Sequence, residues 1–82
     1  MYLAKIRVTL KPSINDPQGV TVKGALHNLG FSNVVSVRMG KYIEIKLNGE
    51  EQDKVCNQVT EMCRKLLANP VIEDFSFDLE RI

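Results

Sequence analysis

"NVVSVRMGKYIEIKL" (residues 33–47) is the stretch on which the fold turns. Val35, Val37 and Met39 alternate with Ser36 and Arg38. Beyond Gly40-Lys41, Ile43, Ile45 and Leu47 alternate with Tyr42, Glu44 and Lys46. A period of two is the pattern of a strand with one buried face. Two such runs around a glycine-containing pair predict a β-hairpin with a short turn at Gly40-Lys41.

On the N-terminal side of this hairpin the period changes. Val22, Ala25, Leu26 and Leu29 follow one another at i, i+3, i+4 and i+7, a single helical stripe. Asp16 is placed to cap that helix and Pro17 to occupy its first turn, where a missing N–H costs nothing. Gly30 is placed as a left-handed stop. Before it, "LAKIRVTL" (residues 3–10) sets Ala4, Ile6, Val8 and Leu10 against Lys5, Arg7 and Thr9, a half-buried strand that Lys11-Pro12 ends.

On the C-terminal side, Asn48 and Glu51 have the spacing of a capping box. Val55, Cys56, Val59, Met62, Cys63, Leu66 and Leu67 then share one wide face of a long helix. Pro70 forces Asn69 out of helical geometry. Phe75, Phe77 and Leu79 alternate through a last strand.

The order is therefore β-α-β-β-α-β in one domain, residues 1–82. The expected class is α+β, a ferredoxin-like four-stranded antiparallel sheet with two helices on one face. That topology brings "KPSINDPQG" (residues 11–19), "RMGKY" (38–42) and "ANPVIED" (68–74) to one edge. The opposite edge has only "LGFSN" (29–33) and "NGEE" (48–51), so the first edge is the expected working surface.

Composition narrows the function classes. The 82 residues are 44% apolar and 26% charged, ordinary for a globular domain. Eleven basic against ten acidic residues give a formal charge of +1, which leaves no electrostatic footprint for nucleic acid or an anionic membrane. The opening "MYLAKIRVTL" carries charges within its apolar stretch, the pattern of neither a signal peptide nor an anchor; a cytoplasmic location is the expectation. So short a chain buries a modest fraction of its surface and gains from association.

The chemistry-bearing residues are few. Cys56 and Cys63 lie about 10 Å apart along a helix axis, beyond disulfide reach, and lack the close spacing of zinc ligands. They read as core filling. His27, the only histidine, has no carboxylate or nucleophile beside it in sequence and reads as a helix-end residue that favours the C-terminal dipole. Gly24, in a helix interior, implies close approach of another group. "DPQG" opens a helix whose N–H groups suit an anion, but Asp16 is itself placed to occupy them. Lys5, Arg7, Arg38, Glu44, Lys46, Asp78 and Glu80 fall on the outer sheet face with Tyr42 as the only central aromatic, which favours cross-strand ion pairs over RNA stacking. No catalytic residue, metal ligand or cofactor-binding loop is expected. A small-ligand regulatory module of the ACT type, which would bind an amino acid at a dimer interface, and a small enzyme remain open on the residues alone.

"VTLKP", "DPQG", "GALHNLGF", "VRMGKYIEI" and "MCRKLLANPVIEDF", in this order, make the chain resemble the PurS subunits of phosphoribosylformylglycinamidine (FGAM) synthase nearly end to end. The resemblance implies a small non-catalytic subunit in the fourth step of purine biosynthesis. It would bridge a synthetase subunit (PurL) and a glutaminase subunit (PurQ), assist transfer of ammonia, and self-associate as a dimer or higher assembly. ATP and magnesium would be used by the complex and not bound by this chain. Asp16, Pro17, Gln18 and Gly19 match the family's first-loop motif; Arg38, Gly40 and Lys41 match its hairpin motif; Asn69 and Pro70 match its last-loop motif. These nine are the candidate interface residues. Arg38 and Lys41 are expected to project charge towards a partner, with Asp16 mainly capping its helix.

Overall fold

Strand β1 (Tyr2–Leu10) is the middle of an antiparallel sheet, flanked by β2 (Gly40–Leu47) and β3 (Glu73–Arg81) in the order β2-β1-β3. The structure is a computed structural model and describes residues 1–82. Ala4 stands opposite Ile45 on one side and Leu79 on the other, and Ile6 opposite Ile43 and Phe77. Opposed residues share a face, so the three apolar sets align into one carpet. On the other face Lys5 pairs with Glu80 at 2.8 Å and Arg7 with Asp78 at 3.1 Å. The Tyr42 hydroxyl donates to Glu44 at 2.9 Å. The expected cross-strand use of these charges appears in the two ion pairs; Glu44 is bonded within its own strand, Lys46 joins no pair, and Arg38 lies outside the sheet, bonded to loop carbonyls.

Helix α2 (Gln52–Met62) covers the apolar carpet and widens at its end into a π-helical turn, Cys63–Leu67. Val55, Val59 and Cys63 fall on one line at spacings of four, and all three are buried against Ala4, Ile6 and Val8. Burying each valine or isoleucine side chain is worth about 1.5–3 kcal/mol. The π turn closes through the Ala68 N–H to the Cys63 carbonyl at 2.9 Å. The extra residue in that turn carries Leu66 off the apolar face, where it is 82% exposed. The expected capping box does not form. The helix starts at Gln52, Glu51 precedes it without a side-chain cap, and Asn48 is left a turn too early.

Helix α1 (Pro17–Asn28) departs further from expectation. It supplies no side chain to the core. Val20 and Leu29 are 63% and 73% exposed, and a Cβ on Gly24 would meet nothing within the chain. Gly30, at φ +99°, turns the chain, and the His27 imidazole Nε2–H donates to the Val34 carbonyl at 2.8 Å across that turn. Residues 34–39 then return alongside α1. They form no strand and make no backbone hydrogen bond from residue 35 to residue 39. The molecule is accordingly long and thin, 50 × 27 × 14 Å. Its radius of gyration is 16.2 Å, whereas a compact chain of this length would have about 12 Å.

The sheet therefore has three strands, not four, and one helix over its face, not two. The reason lies in the parity of residues 33–47. A two-residue turn at Gly40-Lys41 would place Met39 opposite Tyr42, and with it Val35 and Val37 on the charged outer face. A straight path keeps Val35, Val37, Met39, Ile43, Ile45 and Leu47 on one side. Gly40 lacks the positive φ that such a turn requires, and pairs opposite Thr9 as the first residue of β2.

Ile6→Ala, at the fully buried centre of the sheet, should lower unfolding free energy by about 2–5 kcal/mol in denaturant titration. In the same protein the buried Cys63 thiol, whose pKa burial pushes up, should label far more slowly than the half-buried Cys56. Equal labelling rates under native conditions would contradict the packing described.

Candidate functional site

The loop after β1 and the segment before β2 are tied together by Asp16 and Arg38. One carboxylate oxygen of Asp16 accepts from the Gly19 N–H at 3.0 Å, the helix cap that the sequence predicts. The other accepts from the Met39 N–H at 2.7 Å, a contact across 23 residues that the sequence does not signal. These two N–H groups, Met39 first, hold the carboxyl below its ordinary pKa, with the Arg38 charge adding to them. Asp16 is 4% exposed and fully engaged. Gly19 is required here because a Cβ at that position would collide with the Val37 carbonyl oxygen passing over the helix start.

Arg38 completes the join from the other side. Its Nη1 donates to the Ile14 carbonyl at 3.1 Å, and its Nη2 to the carbonyls of Lys11 at 2.8 Å and Leu10 at 3.2 Å. Planar geometry lets one guanidinium bind several carbonyls that a lysine would not hold together. Its charge is thus committed to its own chain, contrary to the expectation that it projects towards a partner.

The last loop meets the same edge. Lys11 N–H donates to the Ile72 carbonyl at 2.8 Å. Asn69 accepts from the Val71 N–H at 3.1 Å through its side chain, and its own N–H donates to Glu73 at 2.7 Å. Lys41 reaches the Leu67 carbonyl at 3.4 Å and Glu73 at 4.0 Å. A cavity of about 260 Å³ opens between these segments, with Asp16, Gln18, Met39, Gly40, Lys41 and Glu73 on its wall.

Seven of the nine candidate residues are thus accounted for within this edge. Asp16, Gln18, Gly40 and Lys41 share the cavity, Gly19 and Arg38 join the first loop to the returning segment beside it, and Asn69 shapes the last loop. Pro17 begins α1, and Pro70 lines a separate groove with Lys11 and Arg64. Both prolines are exposed. Glu73 and Met39 were not singled out by the sequence. Glu73 occupies a strand start that looked merely polar, and Met39 contributes through its backbone, which no side-chain pattern reports.

Because the folded pKa of Asp16 is depressed, its contribution to stability is complete above the unfolded value of about 4 and fades as pH falls through the folded one. Thermal melts should therefore lose stability below about pH 4. Asp16→Ala should remove this acid-sensitive component together with both bonds and lower the melting midpoint at pH 7 by about 4–8 °C, as loss of one cap does in a small domain. An unchanged midpoint and acid profile would show that the carboxylate is dispensable.

Comparison with known proteins places this geometry. The family model described as PurS, phosphoribosylformylglycinamidine (FGAM) synthase, matches residues 3–81. The phosphoribosylformylglycinamidine synthase subunit PurS of Methanocaldococcus jannaschii is 46% identical over 82 residues, covering 100% of this chain and 99% of that protein. The crystal structure of Bacillus subtilis PurS superposes with a TM-score of 0.89 at 46% identity, covering 99% and 100% of the two chains. A chain in the structure of PurLQS from Thermotoga maritima superposes with a TM-score of 0.86 at 26% identity, covering 98% and 99%. With its whole length matched in sequence and in backbone, the chain belongs to the PurS family of FGAM synthase subunits.

Proposed function

We propose that this chain is the small, non-catalytic subunit of an FGAM synthase, bridging its synthetase subunit (PurL) and glutaminase subunit (PurQ). The observation that carries this reading is the end-to-end match to a chain of the PurLQS assembly. The side chains agree with a role in assembly. His27 donates its Nε2–H to Val34, and the Cys63 thiol is buried with a raised pKa. A buried thiol held protonated is a poor nucleophile. ATP and magnesium would be handled by the synthetase subunit, and glutamine by the glutaminase.

On this reading the protein works in the cytoplasm, and no helix is long and apolar enough to cross a membrane. The edge carrying Asp16, Pro17, Gln18, Gly19, Arg38, Gly40, Lys41, Asn69 and Pro70 is the surface we assign to the larger subunits. Arg38, Asp16 and Asn69 act there by holding the loops in shape, while the exposed prolines and Lys41, held only by long contacts to Leu67 and Glu73, are the groups placed to touch another chain. Holding the two larger subunits in one orientation would let ammonia pass between their active sites without escaping to water. We also infer that the four-stranded ferredoxin-like layer belongs to the assembled protein, the single chain contributing three strands.

The nitrogen source tests the bridging role. With the synthetase and glutaminase subunits present, omitting this chain should abolish glutamine-dependent FGAM formation but leave formation from high ammonium salt. Lys41→Glu should raise the concentration of this chain needed for half-maximal glutamine-dependent rate, with an unchanged melting midpoint. Full glutamine-dependent activity from the other two subunits alone would defeat the proposal.

A further inference from the structure

Asn48 is the only asparagine of this chain followed by glycine. The Asn48-Gly49 pair lies in the connection between β2 and α2, and both residues are exposed. Neither the Asn48 side-chain amide nor the Gly49 N–H has a hydrogen-bond partner within the chain. Glycine has no side chain to shield its nitrogen. An open groove walled by Asn48, Gly49, Glu50, Lys54 and Gln58 gives water access to both groups. An unbonded amide beside an unbonded, unshielded N–H is the arrangement in which a backbone nitrogen can attack a side chain.

The other asparagines are kept from this chemistry, each for its own reason. Asn69 precedes Pro70, which has no N–H. Asn28 ends α1, and the N–H that follows it, on Leu29, donates to the Ala25 carbonyl at 3.1 Å. Asn57 lies inside α2, where the next N–H belongs to the helix ladder. Asn33 precedes the β-branched Val34, whose N–H donates to the Phe31 carbonyl at 3.3 Å. Asn15 precedes Asp16, whose buried carboxylate is pinned by the Gly19 and Met39 N–H groups, so the chain there is not free to turn.

Packing explains why a reactive pair stands at this position. A Cβ on residue 49 would collide with Cγ2 of Val55. Val55 is 1% exposed and heads the row Val55, Val59 and Cys63 through which α2 grips the sheet. The contact that excludes a side chain at 49 also leaves its nitrogen open.

We propose that Asn48-Gly49 is a self-modification site, at which the chain converts its own Asn48 to isoaspartate and aspartate and thereby loosens α2. The Gly49 nitrogen attacks Cγ of Asn48. An N–Cγ bond forms, the Cγ–Nδ2 bond breaks, and the Gly49 proton leaves with Nδ2 as ammonia. Water then opens the resulting succinimide ring at either carbonyl, giving its hydroxyl to the carbon and its proton to the nitrogen. Opening at Cγ yields aspartate. Opening at the main-chain carbonyl yields isoaspartate, in which the backbone runs through the side chain and is longer by one carbon. Either product adds a negative charge beside Glu50 and Glu51. Only isoaspartate lengthens the chain, and that added carbon carries Gly49 away from Val55 and unseats the start of α2. This inference rests on the chain alone and stands or falls separately from the bridging role.

The test follows the full-length protein through weeks of storage in mildly alkaline buffer, with peptide mapping by mass spectrometry. The peptide holding Asn48 should gain the mass of an amide-to-acid exchange, while the peptides holding the other asparagines keep theirs. A protease that cuts before aspartate and not before isoaspartate separates the two products. Isoaspartate-containing protein, isolated by ion exchange, should melt about 4–8 °C below the fresh protein. Asn48→Asp carries the charge without the extra carbon and should keep the original midpoint, as surface substitutions do. Asn48→Gln, which would have to close a larger ring, should keep both its mass and its midpoint on storage. An Asn48 peptide of unchanged mass, or earlier conversion at another asparagine, would overturn the site. An unchanged midpoint in the isoaspartate form, or an equal loss in Asn48→Asp, would overturn the loosening of α2 by the added carbon.

Discussion

Asp16 is the residue on which the shape of this protein depends. A single carboxylate accepts an N–H from the first turn of a helix and the N–H that leads into a strand 23 residues later. Neither bond is unusual alone. Sharing one ion between them converts a flexible excursion of chain into a stem whose two ends leave the sheet together. Arg38 works in the opposite sense, a cation gathering three carbonyls of the loop that the carboxylate does not reach. Backbone groups that a surface loop would otherwise leave to water are thereby used to fix direction.

The core has a different logic and a narrower base. Ala4, Ile6 and Val8 are sealed by Val55, Val59 and Cys63, and the outer rows of the carpet are covered only in part. Ten of 82 residues are buried, too few for a domain that stands by its own packing. Rigidity of the sheet comes from two full-length ladders on β1, not from depth of burial. The edge we assign to the larger subunits is therefore geometry held by hydrogen bonds, where three loops meet and where the apolar interior ends.

Most of the elements were legible in the sequence because period and punctuation act locally. The alternation in residues 3–10 and 75–79, the Asp16-Pro17 start and the Gly30 stop all appear as read. The convergence of the three loops at one edge also appears, because it depends on the direction of β1, β2 and β3 and not on the missing strand. The hairpin was misread because a glycine between two alternating runs is a local signal, whereas face parity is a property of both runs at once. The helix face was misread at Leu66 because a π turn leaves no mark on an amphipathic pattern. Arg38 was read as a surface charge because its three acceptors are main-chain oxygens, which every sequence contains.

The unbroken parity from Val35 to Leu47 carries a consequence for how this chain can vary. Thirteen residues keep one side of an extended path for apolar groups, with Gly40 merely a place where the path passes close to the Val8 carbonyl, 2.6 Å from where a Cβ would stand. Inserting or deleting one residue between Met39 and Ile43 would send every valine of one half to the charged face, while a change of two would leave the faces intact. Length changes in this segment are constrained to even numbers, a rule imposed by the pleat of the backbone and independent of which apolar side chains are used.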